Sequence, residues 1–98
     1  MKVSEITNKE LADYLRLAHS ELTESEKVDL DTLLIIAKSY ISSYTGLTAD
    51  GIDSHEDFVI VVYILVQDMY DNRTLYVDKN NINKVVDSIL GMHSINLL

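Results

Sequence analysis

The chain has 98 residues, a formal net charge of −8 at pH 7, and neither cysteine nor proline. This length suits one domain that buries roughly two-thirds of its unfolded surface, so we predict a single domain over residues 1–98. The absence of cysteine excludes disulfides, thiolate metal sites and cysteine nucleophiles. The acidic balance disfavours contact with phosphate backbones, and the sequence predicts no signal peptide or transmembrane segment.

The first predicted helix begins with a capping box. Residues 1–5 are expected to fray, and Thr7 and Glu10 can then hydrogen-bond each other's backbone amides. Apolar residues recur at helical spacing up to residue 22, which predicts a short amphipathic helix. They are Leu11, Tyr14, Leu15, Ala18 and Leu22.

A second capping box, Thr23 with Glu26, opens the longest predicted helix, roughly residues 24–44. Its apolar stripe consists of Leu30, Leu33, Leu34, Ala37, Ile41 and Tyr44. Ile36 and Tyr40 widen this stripe beyond what one neighbouring helix would cover, which leaves apolar surface for another contact.

A loop and a central helix are predicted next. Gly46 is expected to end the long helix in the left-handed conformation, and an Asp-Gly turn signal marks residues 47–53 as a loop. Phe58–Val66 are consecutive apolar residues, too few to cross a bilayer. Their β-branched content suits a strand, but Ser54 and Asp57 can form a capping box and neither Gly nor Pro interrupts the run. We predict a helix that is apolar on every side and is covered by its own domain or a neighbouring subunit.

A short extended segment at residues 74–78 and a last helix, roughly 81–91, complete the predicted layout. Asn80 or Asn81 is expected to cap the last helix, and Gly91 to end it. Its apolar face comprises Ile82, Val85, Val86, Ile89 and Leu90. The apolar C-terminal tail is expected to dock on the domain, because exposing it to water is costly. The tail residues in question are Ile95, Leu97 and Leu98. The predicted fold class is all-α, a small domain of four helices: short, long, central apolar and short.

Acidic residues spaced three apart suggest an enzyme hypothesis. All-α nucleotide pyrophosphohydrolases bind magnesium with such pairs on facing helices, but exposed helix faces also produce the spacing by chance, and no basic cluster is present to hold phosphates. The pairs are Glu21/Glu24, Glu26/Asp29 and Asp68/Asp71. The three histidines, His19, His55 and His93, lie in unrelated local contexts, so no catalytic base is predicted.

The stretch from Asp68 to Arg73 combines charges with aromatic and apolar residues, and two interpretations remain open. In the first, Asp68, Asp71 and Arg73 satisfy one another or backbone groups at the end of a buried helix, since Arg pairs well with carboxylates. In the second, they form the charged rim of a subunit contact.

The order of these stretches carries a resemblance to a known family. The long helix ends in Tyr44-Thr45-Gly46, a loop and an apolar helix follow, and the chain closes with residues 88–98. Over about residues 8–98 this order resembles the small head–tail connector proteins of tailed bacteriophages and prophages, the HK97 gp6-like group, also described as DNA-packaging proteins. The matching structural residues are Tyr44, Gly46, Met69, Tyr70, Asp71, Asn72 and Arg73.

The resemblance implies a helical structural subunit with no enzymatic activity, cofactor or bound metal. Such subunits form a homo-oligomeric ring below the portal protein of the filled capsid, twelve-fold in the virion, and can remain monomers when isolated. The ring extends the DNA channel, through which DNA passes without specific binding, and docks the next neck or tail protein. The implied location is the virion neck, with the host cytoplasm during assembly, and no membrane is involved.

The apolar surplus also predicts where subunits meet. Because a ring needs two different faces, we expect Ile36 and Tyr40 of the long helix to contact Met69 and Tyr70 of a neighbour. The alternative is a small phage-encoded regulatory or protein-binding helical module. A DNA-binding regulator would need a basic recognition helix, and none of the four predicted helices is basic.

Overall fold

The computed structural model describes residues 1–94, which form five α-helices and two 3-10 turns and contain no strand. The α-helices are α1 (Asn8–Tyr14), α2 (Glu24–Thr45), α3 (Ala49–Asp53), α4 (Phe58–Asn72) and α5 (Lys84–His93). The 3-10 turns are Val3–Glu5 and His19–Glu21. The all-α class is confirmed, with α3 as an additional helix. The predicted docking of the C-terminal tail concerns residues 95–98, which lie outside the described residues. Within residues 1–94, no helix combines the length and hydropathy that crossing a bilayer requires.

The capping boxes predicted at Thr7 and Thr23 are present. The Glu10 carboxylate accepts hydrogen bonds from the backbone N–H and the hydroxyl of Thr7. Thr23 and Glu26 each accept from the other's backbone N–H, at 3.1 and 3.0 Å. α1 nevertheless ends at Tyr14, well before residue 22, and Arg16 then adopts a left-handed φ of 61° that cannot continue a right-handed helix.

The predicted fraying of residues 1–5 is wrong. Val3 and Ile6 are each only 3% exposed and belong to the hydrophobic core. The backbone N–H of Ser4 also donates to Asp53 Oδ1 at 2.9 Å, which fixes the first 3-10 turn against α3.

The segment between α2 and α4 departs from the predicted loop. Gly46 ends α2 in the left-handed conformation as predicted, with a φ of 76°. The Thr48 hydroxyl then accepts from the Gly51 N–H at 3.2 Å and caps α3. Ser54 donates its hydroxyl hydrogen back to the Gly51 carbonyl, so it closes α3 and does not cap α4 as predicted. Asp57 occupies the N-cap position of α4 without a side-chain capping bond.

The segment between α4 and α5 is irregular, so the predicted extended piece at residues 74–78 is not a strand. Asn83 caps α5 by accepting from two backbone amides at 2.8 and 3.4 Å. Asn80 and Asn81 instead donate to the Asp78 carboxylate, so neither is the predicted cap. α5 also continues past Gly91, its predicted end.

The core is organised around α4, which packs against α1, α2, α5 and the first 3-10 turn. Its buried side chains are Phe58, Val61, Val62, Leu65, Val66 and Met69. Its own domain does not cover the helix on every side, because Ile60 is 45% exposed and Val59, Tyr63 and Ile64 are half-buried. One face of α4 therefore reaches the surface. Coverage by a neighbouring subunit, the other predicted arrangement, stays a prediction.

We expect Leu65→Ala to lower the free energy of unfolding by about 2–5 kcal/mol. The Leu65 side chain is only 2% exposed, so shortening it leaves a cavity in the core. Ile60→Ala on the same helix should cost less than about 1 kcal/mol, because Ile60 is already partly in water. Urea unfolding followed by circular dichroism measures both changes. Equal losses would contradict the described orientation of α4.

Candidate functional site

A surface groove lies between the outer face of α2 and the irregular segment 74–79. It has a volume of about 390 Å³ and is called the α2 groove below. Its lining comprises Ile35, Ile36, Ser39, Tyr40, Ser43, Leu75, Tyr76, Val77 and Lys79. Three of these side chains extend well into solvent: Leu75 is 67% exposed, Ile35 66% and Tyr76 63%. Contiguous exposed apolar surface of this kind is typical of interaction sites.

The α2 groove continues into a more polar end formed by two tyrosines. The rings of Tyr40 and Tyr44 lie 6.0 Å apart, and the Tyr44 hydroxyl donates to Asp87 Oδ1 at 3.0 Å. This hydrogen bond raises the pKa of Tyr44. Partial burial, and then the negative charge of Asp87, raise the pKa of Tyr40. The contact ties the last turn of α2 to α5 and fixes one end of the groove.

The four residues of the expected contact between subunits differ in how exposed they are. Ile36 and Tyr40 are half-buried and line the α2 groove. Met69 is 2% exposed and lies in the hydrophobic core, so it is not available for the expected contact with a neighbour. Tyr70 is 41% exposed and is the member of that pair that reaches the surface.

The predicted ion pairs of Arg73 with Asp68 or Asp71 at the end of α4 are not formed. Asp71, Asn72 and Arg73 are exposed, and within residues 1–94 Arg73 makes no salt bridge with Asp68 or Asp71. Arg73 instead ends the helix through its backbone, with a left-handed φ of 55°. Arg73 also lines a second cavity, where Tyr70 lies near the first half of α2. Within residues 1–94 the side chains of Asp68, Asp71 and Arg73 bond neither to one another nor to backbone groups, so the first interpretation is wrong. A charged rim of a subunit contact remains a prediction.

Two carboxylates near the end of α4 have pKa values shifted in opposite directions. Asp68 and Asp78 line the same cavity between α4 and the irregular segment. Partial burial, and then the negative charge of Asp71, raise the pKa of Asp68. Hydrogen bonds from Asn81 and from the Asn80 backbone lower the pKa of Asp78.

The acidic pairs of the enzyme hypothesis do not assemble into a metal site within residues 1–94. In that part of the chain, the residues close enough to share one metal ion are His55, Asp57 and His93. His93 Nε2 lies 2.9 Å from Asp57 Oδ2, and the rings of His55 and His93 are 4.0 Å apart. The local sequence contexts of His55 and His93 are unrelated, but the fold brings their side chains together. His19 lies elsewhere and forms a hydrogen bond with Asn8 at 2.7 Å.

Several exposed residues of the α2 groove are absent from the sequence-based predictions. Ile35 lies seven positions after Val28, which is 59% exposed, so both point outward from one face of α2. This spacing would have identified Ile35. Leu75 and Tyr76 are consecutive in the segment predicted as extended, where side chains would alternate between inward and outward. The segment is irregular and exposes both.

Comparison of the chain with models of known protein families, with curated proteins and with solved structures gives no match. Among the described residues, two features are candidate functional sites. The α2 groove is a candidate contact surface, and the His55–Asp57–His93 cluster is a candidate ligand site.

We expect Arg73→Gly to be more stable than Arg73→Ala by about 1 kcal/mol, because glycine adopts the left-handed conformation without steric strain. Arg73→Ala should differ little from the parent, since the guanidinium has no carboxylate partner among residues 1–94. Urea unfolding measures the two differences. A loss of roughly 1–3 kcal/mol in Arg73→Ala would instead support a desolvated ion pair at this helix end.

Asp68→Asn should raise the melting temperature at pH 7. Because the pKa of Asp68 is raised on folding, stability falls as pH increases from the unfolded pKa through the folded one, and the neutral amide avoids this loss. The gain should vanish near pH 3, where the carboxyl is protonated in both states. Asp78→Asn is the matched control and should lower stability at pH 7, because the pKa of Asp78 is lowered on folding. Changes of the same sign at pH 7 would contradict this assignment.

Proposed function

We propose that this chain is a structural subunit of a phage or prophage head–tail connector. It assembles into a ring below the portal protein, extends the DNA channel and docks the next neck or tail protein. The order of sequence stretches that resembles the connector group suggests this function. The observation that supports it best is the α2 groove, where Ile35, Leu75 and Tyr76 are each roughly two-thirds exposed. If a neighbouring subunit covers the α2 groove on assembly, the exposure of these apolar side chains in the isolated chain is explained.

A ring places two different faces of each subunit in contact with its two neighbours. The first face is the α2 groove, which uses residues 35–43 of α2. The second is the exposed end of α4, where Tyr70 and Arg73 line a cavity with Glu26, Asp29, Leu30 and Leu33 of α2 but not with Val28. The two faces occupy different parts of α2 and do not overlap, so one subunit can use both at once. Tyr70 of one subunit enters the α2 groove of the next.

The net charge of −8 fits a channel that lets DNA slide. An acidic wall repels phosphates, so DNA passes through the ring without specific binding. In this proposal the chain has no catalytic activity and no membrane partner. It acts in the virion neck after assembly in the host cytoplasm, and the isolated subunit remains a monomer until the portal protein is present.

Ile35→Asp should prevent ring formation, because a carboxylate buried in an apolar contact loses its hydration without a partner. We expect the protein concentration needed for assembly to rise by more than about tenfold. Size-exclusion chromatography with light scattering, at high protein concentration and with the portal protein of the same genome, measures assembly. Val28→Asp is the matched control: it adds the same charge to the same face of α2, outside the groove, and should assemble like the parent.

Three results would count against this proposal. A folded Ile35→Asp variant that forms normal rings would show that the α2 groove is not the interface. Tyr40→Asp tests the same face, but Tyr40 is half-buried, so circular dichroism must first show that the variant is folded. A parent protein that never forms rings, even with its portal protein, would refute the connector function. So would a gene that lies away from the portal, capsid and tail genes.

A further inference from the structure

Three side chains with metal-binding chemistry meet at the start of α4. The ligand atoms of His55, Asp57 and His93 all lie within 4.8 Å of one another. Two imidazoles and a carboxylate are a donor set that Zn²⁺ and neighbouring divalent transition metals accept. We propose that these three side chains bind one divalent transition-metal ion of the zinc type.

The backbone places the three ligands on well-defined elements. The His55 N–H donates to the Ile52 carbonyl at 3.1 Å, and the His55 carbonyl accepts from the Phe58 N–H at 3.2 Å. Asp57 precedes the first residue of α4, and His93 is the last residue of α5. The ligands therefore come from two helix ends and the short connection between α3 and α4, which limits their movement.

The distances suit an ion after small side-chain rotations. A tetrahedral zinc site with bonds of about 2.0–2.1 Å separates its donor atoms by roughly 3.3 Å. His93 Nε2 and Asp57 Oδ2 are 2.9 Å apart, so an ion can replace their hydrogen bond with little displacement. The His55 ring is tilted by 31° against the His93 ring, and within residues 1–94 its nitrogens have no hydrogen-bond partner. One of its nitrogens lies within 4.8 Å of the other two ligand atoms and is available to the ion.

The surroundings leave one side of the cluster dry and the other open. Phe58 is fully buried and meets the rings of His55 and His93 edge-on, at 5.5 and 5.1 Å. On the open side, the Asp57 side chain is 39% exposed and that of His93 is 19% exposed. Water fills the fourth position, as in zinc sites with three protein ligands. The ion joins the end of α5 to the start of α4 and stabilises the fold.

The metal site is independent of the connector proposal, because it shares no residue with the α2 groove. Its existence does not depend on whether the chain forms rings. Each proposal can therefore fail without the other.

The test uses protein without an affinity tag, since a histidine tag would itself bind the metal. Isothermal titration with Zn²⁺ gives the dissociation constant, and thermal unfolding gives the stabilisation. Zn²⁺ at about ten times this constant should raise the melting temperature by about 5–10 °C. Mg²⁺ at the same concentration should leave it unchanged, because imidazole is a poor ligand for magnesium.

Two pairs of variants separate this site from general binding to an acidic surface. His55→Gln removes one ligand and leaves the bond between Asp57 and His93 intact, so the variant should fold but bind Zn²⁺ at least about tenfold more weakly. His19→Gln, outside the cluster, is its control and should bind like the parent. Asp57→Asn should also weaken binding, whereas Glu56→Gln should not. Both remove one negative charge at adjacent positions, and the Glu56 side chain is 81% exposed.

Several outcomes would overturn the proposal. If the parent shows neither binding heat nor a change in melting temperature, these side chains do not form a metal site. If Zn²⁺ stabilises His55→Gln and Asp57→Asn as much as the parent, the ion binds elsewhere. If Mg²⁺ and Zn²⁺ have equal effects, the stabilisation is a general response of an acidic protein to divalent charge.

Discussion

α4 buries six side chains between α1, α2 and α5, and this packing sets the position of the other elements. α2 faces α4 with its inner stripe and therefore leaves Ile35 on the opposite side, where it lines the α2 groove. The end of α5 meets the start of α4, which brings His93 to Asp57. Both candidate sites thus depend on the packing of α4 against α2 and α5, and loss of this packing would disrupt both sites.

In the proposed connector, two forces of different range would act between subunits. The net charge of −8 makes subunits repel one another over distances up to the Debye length, about 8 Å at physiological ionic strength. Apolar contact acts only once surfaces touch and water leaves. Free subunits therefore remain apart, whereas a template that holds them side by side raises their effective concentration and lets the apolar term dominate. This balance is consistent with a subunit that assembles only on a preformed ring.

Local hydrogen-bonding motifs allow parts of the fold to be predicted from sequence. Thr23 and Glu26 are three positions apart, and their reciprocal bonds mark the start of α2 correctly. Ser54 shows the limit of such motifs, because it can cap the next helix or close the previous one, and tertiary packing decides between them. The cluster of His55, Asp57 and His93 cannot be predicted from local patterns, since Asp57 and His93 are 36 positions apart. The second wall of the α2 groove is irregular and not extended, so strand alternation does not predict which of its side chains are exposed.

The two walls of the α2 groove differ in their internal support. One wall is a helix of 22 residues, with each turn held by backbone hydrogen bonds. The other is the irregular segment 74–79, which lacks a regular backbone ladder and adjusts at lower cost. A partner that fills the groove would therefore lose conformational entropy mainly at that wall, and adjustment of shape would be confined to it. In the proposed connector, one surface could then serve a ring neighbour and an unlike protein in turn.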